Sequence, residues 1–101
     1  MDLKDKFTSD VLARFEKAKA IGAYPARLAQ TVSTKGGVDA ARFIVSKGGM
    51  SENFEQLAKL GKLELSLEAA VTDSKYGALF TDEEVNHCFA SLCMTAIVVR
   101  V

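Results

Sequence analysis

The stretch TKGGVDAARFIVSKGGMS, residues 34–51, carries Lys-Gly-Gly twice, at Lys35-Gly36-Gly37 and at Lys47-Gly48-Gly49. Such a doublet is a phosphate-cradling loop, a repeat, or punctuation between helices. A nucleotide loop that opens Lys-Gly-Gly-Val needs Gly-Lys-Thr next, because a lysine must reach the phosphates and a hydroxyl must hold Mg²⁺. Here Asp39, Ala40 and Ala41 follow. Asp39 would set a carboxylate against the phosphate, and no apolar strand precedes the loop. The dinucleotide signature G-x-G-x-x-G is absent as well. The spacing between the pairs is too short for a solenoid unit, which takes roughly 20 residues or more. Each pair follows a lysine, as expected at a helix C-terminus, where glycine supplies positive φ and the cation complements the dipole. The glycines are therefore expected to be helix stops.

With the pairs read as stops, the chain on both sides resolves into short helices. Between the pairs, Ala40, Ala41, Phe43, Ile44 and Val45 make a segment apolar almost all round, which predicts the buried centre of the domain. Upstream, Phe7, Val11, Leu12, Phe15 and Ala18 form one stripe at helical spacing, closed by Gly22. Tyr24-Pro25 opens a second helix, since Pro25 suits the first helical position, and Leu28, Ala29 and Val32 are its apolar face. Downstream, Ser51 is the expected N-cap of a helix with Glu52 in its first turn. Phe54, Leu57, Ala58 and Leu60 supply that helix's stripe, and Gly61 ends it. KLELS reads as a connector, Ser66 as the cap of LEAAVT, and DSKYGALF as a turn with a short helical piece. Thr81 and Glu84 complete a capping box for a last helix whose core face is Val85, Cys88, Phe89 and Leu92. The β-branched tail MTAIVVRV, residues 94–101, is open to three readings, a strand, a frayed helix or an adapted tail; coil is the expectation, because a lone strand needs a partner. The expected fold class is all-α: an orthogonal bundle of about five to six short helices, one domain over 1–101 with its core at about 7–92.

Composition narrows the functional classes. Hydrophobic residues make up 49% of the chain, so a folded domain is expected. No apolar run approaches the ~20 residues that cross a bilayer, and the charged start MDLKDKFTSD lacks the apolar segment of a signal peptide. The expectation is a cytoplasmic protein without membrane contact. Net charge is zero but uneven: residues 1–50 hold nine Lys/Arg against five Asp/Glu, and residues 51–101 hold four against eight, giving +4 and −4. A pI of about 6.6 falls well below the ~9 typical of nucleic-acid-binding domains.

Catalytic and cofactor-binding residues are not expected. His87 and Cys88 are neighbours, and adjacent helical positions diverge by about 100°, so they make a poor nucleophile pair. H-C-x₄-C matches no familiar zinc spacing. Cys88 and Cys93 point to different helix faces and are expected as reduced thiols. Asp82, Glu83 and Glu84 are read as an acidic first turn stabilising its own helix. Two groupings stand out. Arg14, Arg27 and Arg42, with Lys35 and Lys47 nearby, would make one basic interaction surface if the first three helices pack closely. Tyr24, Arg27 and Glu68 would form a buried Arg–Glu pair beneath a tyrosine, or a small pocket.

Residues Tyr24, Ala26, Arg27, Gly36, Gly37, Ala40, Ala41, Phe54, Leu57, Gly61, Leu63, Leu65, Ser66, Glu68 and Leu79-Phe80-Thr81 with Glu84 share an order with a known group. The chain resembles a widespread family of small, largely uncharacterised bacterial α-helical proteins and domains associated with mobile or defence-related DNA. Its pattern runs aromatic-Asn-Ala-x-Arg-Phe, a Gly-Gly pair leading into Ala-Ala/Ala-Lys, Gly-Phe/Tyr-x-x-Leu-Trp, Gly-Arg-Leu-Asp-Leu-Ser/Thr-Val-Glu and Leu-Phe-Thr-x-x-Glu, and it spans roughly residues 7–92. Pro25 stands in place of the usual Asn, Lys59 or a neighbour in place of Trp, and Lys62 and Glu64 in place of Arg and Asp. The resemblance implies a helical fold and an accessory binding role.

The resulting expectation is a non-enzymatic module that acts by protein–protein contact, with a homodimer as one form of that contact. The alternative is nucleic-acid binding through the basic face of the first three helices.

Overall fold

The computed structural model describes residues 2–100, and side chains over residues 2–93. Among the described residues the fold is an all-α bundle without strands, built from α1 (Leu3–Ala20), α2 (Ala26–Lys35), α3 (Gly37–Ser46), α4 (Phe54–Lys59), α5 (Leu67–Val71) and α6 (Asp82–Arg100). Two 3₁₀ turns, Leu63–Leu65 and Ser74–Leu79, carry the chain into and out of α5. The expected connector KLELS is the first of them.

The central element is α1. Its stripe of Phe7, Val11, Phe15 and Ala18 is buried, as the spacing predicts, while Leu12 stays half-buried. Around Phe7 the core is aromatic: Tyr76 and Phe80 meet its ring edge-on, each with centroids 5.1 Å away. Such edge-to-face pairs add ~0.5–1.5 kcal/mol beyond area burial. A smaller cluster of Ala18, Ala23 and Leu57 closes the other end of α1, with Leu63 and Leu65 against it.

The segment between the glycine pairs does not form the centre. α3 buries Gly37, Val38, Ala40 and Ala41, whereas Phe43 is 55% exposed and Ile44 and Val45 are half-buried. The reason is the closeness of α1: a Cβ added at Gly37 would lie 2.9 Å from Phe7 Cδ2 and 3.2 Å from the Thr8 backbone. Only a face of small residues fits there, so the bulky face of α3 turns outward. Gly37 N also donates to Thr8 Oγ1 at 2.9 Å.

The first glycine of each pair is a helix stop as expected, while Gly37 instead opens α3 and Gly49 has no positive φ. Gly36 ends α2 with φ +91° and Gly48 follows α3 with φ +69°. The capping box forms in both directions, Thr81 N to Glu84 Oε1 at 2.8 Å and Glu84 N to Thr81 Oγ1 at 3.2 Å. Ser66 caps α5 through Ala69 N. Three details depart from expectation. Ser51 caps nothing, because α4 starts later, at Phe54. Leu60 and Phe89, expected in the core, are exposed. The tail, expected as coil with a helix among its alternatives, is helical, since α6 runs on from its capped start to Arg100 despite the β-branched composition. The side chains of the tail, and Val101, lie outside the described residues.

A polar clamp fastens α1 to the second 3₁₀ turn. Tyr76 Oη donates to Asp10 Oδ2 at 2.8 Å, and Arg14 Nε donates to Asp10 Oδ1 at 2.8 Å. Burial works against ionisation of Asp10. Hydrogen bonds from Arg14 and Tyr76, and the charges of Arg14 and Lys75, outweigh it and hold the carboxyl below 3.8. Tyr76 is pushed up from 10.0 to about 12, by burial first and by Asp10 second.

Gly37→Ala should cost about 1–3 kcal/mol in urea unfolding through the clash with Phe7. Gly36→Ala has room but holds φ +91° and ψ 156°, a region open essentially to glycine alone, and should cost about 1–3 kcal/mol from strain. In a Phe7→Leu background the Gly37→Ala loss should shrink by at least about 0.5 kcal/mol while the Gly36→Ala loss stays the same, and an unchanged Gly37→Ala loss would show the close approach to be absent. The clamp also has a pH signature. A phenol whose pKa is raised by folding contributes stability that is complete below 10.0 and lost as pH climbs to about 12. Asp10, depressed, contributes stability present above 3.8 and lost as pH falls through its lower folded value. In a Tyr24→Phe background, absorbance titration of the remaining tyrosine should centre near 12 and coincide with loss of ellipticity.

Candidate docking groove

The site is shaped by the segment 48–53 that joins α3 to α4. Its anchor is Glu68, 2% exposed on α5. Glu68 Oε2 accepts the Ser51 backbone N–H, and Oε1 accepts the Ser51 hydroxyl, both at 2.6 Å. The rest of the segment is tied on each side of that bond. Glu52 Oε1 accepts the amide of Leu28 at 3.1 Å, in the first turn of α2. Pro25, the N-cap of α2, offers no capping side chain, so a carboxylate from elsewhere satisfies an orphan donor and complements the dipole. Asn53 Nδ2 donates to Ala23 O at 2.8 Å, and His87 Nε2 lies 2.9 Å from Gly49 O, which requires Nε2 to carry the proton. Among the described residues Asn53 Oδ1 is buried without a partner.

Held this way, the segment borders an open groove between α2 and α3 of about 650 Å³. Leu28, Ala40, Ile44 and Met50 provide apolar lining, and Phe43 stands at one side. The Phe43 ring lies beside two lysines, with Nζ of Lys47 4.5 Å and Nζ of Lys35 5.9 Å from its centroid. Arg27 and Lys35 line the groove, as do Asp39 and Glu52. Glu52 is occupied with the α2 amide and Asp39 sits in the first turn of α3.

The expected basic surface divides. Arg14 is turned inward, bonded to Asp10 and to the carbonyl of Glu64, with Asp73 Oδ2 3.9 Å away. Arg42 donates to Leu79 O at 2.8 Å and stands 3.6 Å from Glu84 Oε2, so it joins α3 to α6. Both are staples of the fold. Arg27, Lys35 and Lys47 form no ion pair within the described residues, and they surround the groove and Phe43. The Tyr24, Arg27 and Glu68 grouping does not converge. Tyr24 is 40% exposed beneath Lys19, Arg27 is exposed at the groove, and Glu68 is buried on Ser51. Arg27 sits at N2 of α2 and faces solvent, while Glu68 is reached from the other side by the 48–53 segment.

Sequence reasoning misplaces Phe43 and Glu52 and misses Met50. The signal was present, since lysines at 35 and 47 flank Phe43 at four to eight residues, but an apolar helix face reads as core until its neighbour is known. Among the described residues no three His, Cys, Asp or Glu side chains are grouped as metal ligands, and no helix is long and apolar enough to cross a membrane. Both cysteines are free thiols. Cys88 is pushed up to about 12, by burial first and then by Glu68 and Glu84. Searched against family models, curated proteins and solved structures, the sequence matches none.

In native protein a thiol reagent should modify Cys93 alone, and Cys88 should react only as the protein unfolds. Two equally fast thiols would place Cys88 outside the core.

Proposed function

We propose that this chain is a small helical module that acts by protein–protein contact, without a catalytic role, and that the α2–α3 groove is its contact surface. The observation that carries this reading is Phe43, 55% exposed between two lysines at the side of an apolar groove. Binding sites concentrate their free energy in aromatic anchors and cations over an apolar floor. The partner that fits is an amphipathic helix with an acidic flank. Its apolar residues at i, i+3 or i+4, and i+7 would lie along Leu28, Ile44 and Met50, and its carboxylates would meet Arg27, Lys35 and Lys47. The free thiols at Cys88 and Cys93 fit a reducing compartment, in keeping with a cytoplasmic location.

A second reading has one specific support. An exposed aromatic ring with flanking cations is also the stacking platform used for single-stranded nucleic acid. Against it, Arg14 and Arg42 are engaged by carboxylates, and the groove floor of Leu28, Ala40, Ile44 and Met50 offers an apolar surface suited to a helix side chain and not to a sugar-phosphate chain.

Display selection from random 16-residue peptides should enrich sequences with acidic residues beside apolar positions at helical spacing. Phe43→Ala should weaken the best of them by about 30-fold, the effect of a ~2 kcal/mol hot spot. Because Phe43 is largely exposed, the same change should alter unfolding free energy by less than about 0.5 kcal/mol. Selected peptides indifferent to Phe43, alongside oligonucleotide binding that falls steeply with salt and is lost in Phe43→Ala, would transfer the surface to the second reading.

A further inference from the structure

α6 spans nineteen residues, Asp82–Arg100, and the bundle uses one side of its first half. Cys88 is buried, and Val85 and Leu92 are half-buried. On the opposite side Phe89 is 59% exposed, the largest exposure among the described large hydrophobic side chains, and Cys93 is exposed one turn later. After Cys93 the helical backbone continues through a sequence, MTAIVV, that holds no charge before Arg100. Among the described residues, Phe89 and Cys93 expose an apolar strip on α6, and such a strip marks an interface.

The charge order along α6 says what covers it. The first turn is acidic, with Asp82, Glu83 and Glu84, and the last residue is basic, Arg100. Glu84 is engaged by Thr81 and Arg42, whereas Asp82 and Glu83 form no ion pair within the described residues. Two α6 helices laid antiparallel bring the acidic turn of each copy beside the basic end of the other, twice. They also oppose the two helix dipoles favourably. A parallel arrangement would instead set acidic turn against acidic turn. An antiparallel pair is isologous, using the same patch on both copies and closing on itself.

We propose that two copies of this chain pair through antiparallel α6 helices across Phe89 and Cys93, with the two-fold axis near residues 91–93. The Cys93 positions then lie within about 6 Å of each other along the helix axis, while the Asn86 positions are separated by roughly 15–20 Å. This interface is independent of the α2–α3 groove.

The test is light scattering together with thiol cross-linking by a short bismaleimide, for which buried Cys88 serves as the silent control. The expected result is a particle of twice the 10.9 kDa chain mass and rapid linkage through Cys93. Phe89→Glu, at an exposed position and checked by thermal melting for retention of the fold, should raise the dimer dissociation constant at least about 10-fold and abolish linkage. Asn86→Cys in a Cys93→Ser background should fail to link. Monomer at every concentration up to millimolar would overturn the proposal, and so would linkage at Asn86→Cys as fast as at Cys93, the mark of parallel pairing. A dimer that survives Phe89→Glu but is lost in Phe43→Glu would overturn it in favour of copies meeting at the groove.

Discussion

Glu68 is a carboxylate in the protein interior with no lysine or arginine paired to it among the described residues, and the 48–53 segment is arranged around what it holds. Its two oxygens take both donors of Ser51 at 2.6 Å. A buried carboxylate is costly unless such donors are supplied, and removing one partner from a charged hydrogen bond costs more than the ordinary ~1–3 kcal/mol of a lost neutral one. This bond therefore fixes the backbone at Ser51, and three neighbouring attachments follow from its position. Glu52 reaches the start of α2, Asn53 reaches the turn before α2, and the Gly49 carbonyl reaches His87 on α6. One irregular segment thereby joins α2, α5 and α6, and Met50, held within it, completes the groove wall.

That hub explains which parts of the fold were legible in the sequence. The stripe of α1, the capping box at Thr81 and Glu84, and the glycine stops are local devices, written within a few residues of where they act. By the same local logic Ser51 and Glu52 read as cap and first turn of the next helix, and there the structure differs. Their partners are Glu68 and Leu28, 17 and 24 residues away in the chain. The reading of α3 failed for a related reason. Nothing near Gly37 announces that Phe7 will lie against it, so the helix face that turned outward could not be told from the one that turned inward. The site shares both errors: Phe43 was assigned to the core and Arg14 to the surface, whereas each does the opposite.

Only part of the charge imbalance between the two halves is spent in ion pairs within the described residues. Arg14 meets Asp10 and Asp73, Arg42 meets Glu84, and Lys75 meets Asp10 and Asp73. Positive charge remains free where the apolar surface is also exposed, at Arg27, Lys35 and Lys47 around Phe43. Negative charge remains free at Asp82 and Glu83, at the start of α6, the helix on which Phe89 is exposed. Exposed apolar area and unspent charge thus coincide in two places on separate helices, and this coincidence supports a module built for contact.

The dependence of the groove on Glu68 is tested most directly by native-state amide exchange in the wild type and in Glu68→Gln. The account predicts that the Ser51 amide and the Leu28 amide, which belongs to a different helix and touches only Glu52, lose protection together, by about 10- to 100-fold for a local loss of ~1–3 kcal/mol. If Ser51 alone becomes exchangeable while Leu28 keeps its wild-type protection, the segment is not held as one unit by the buried carboxylate, and the central claim fails.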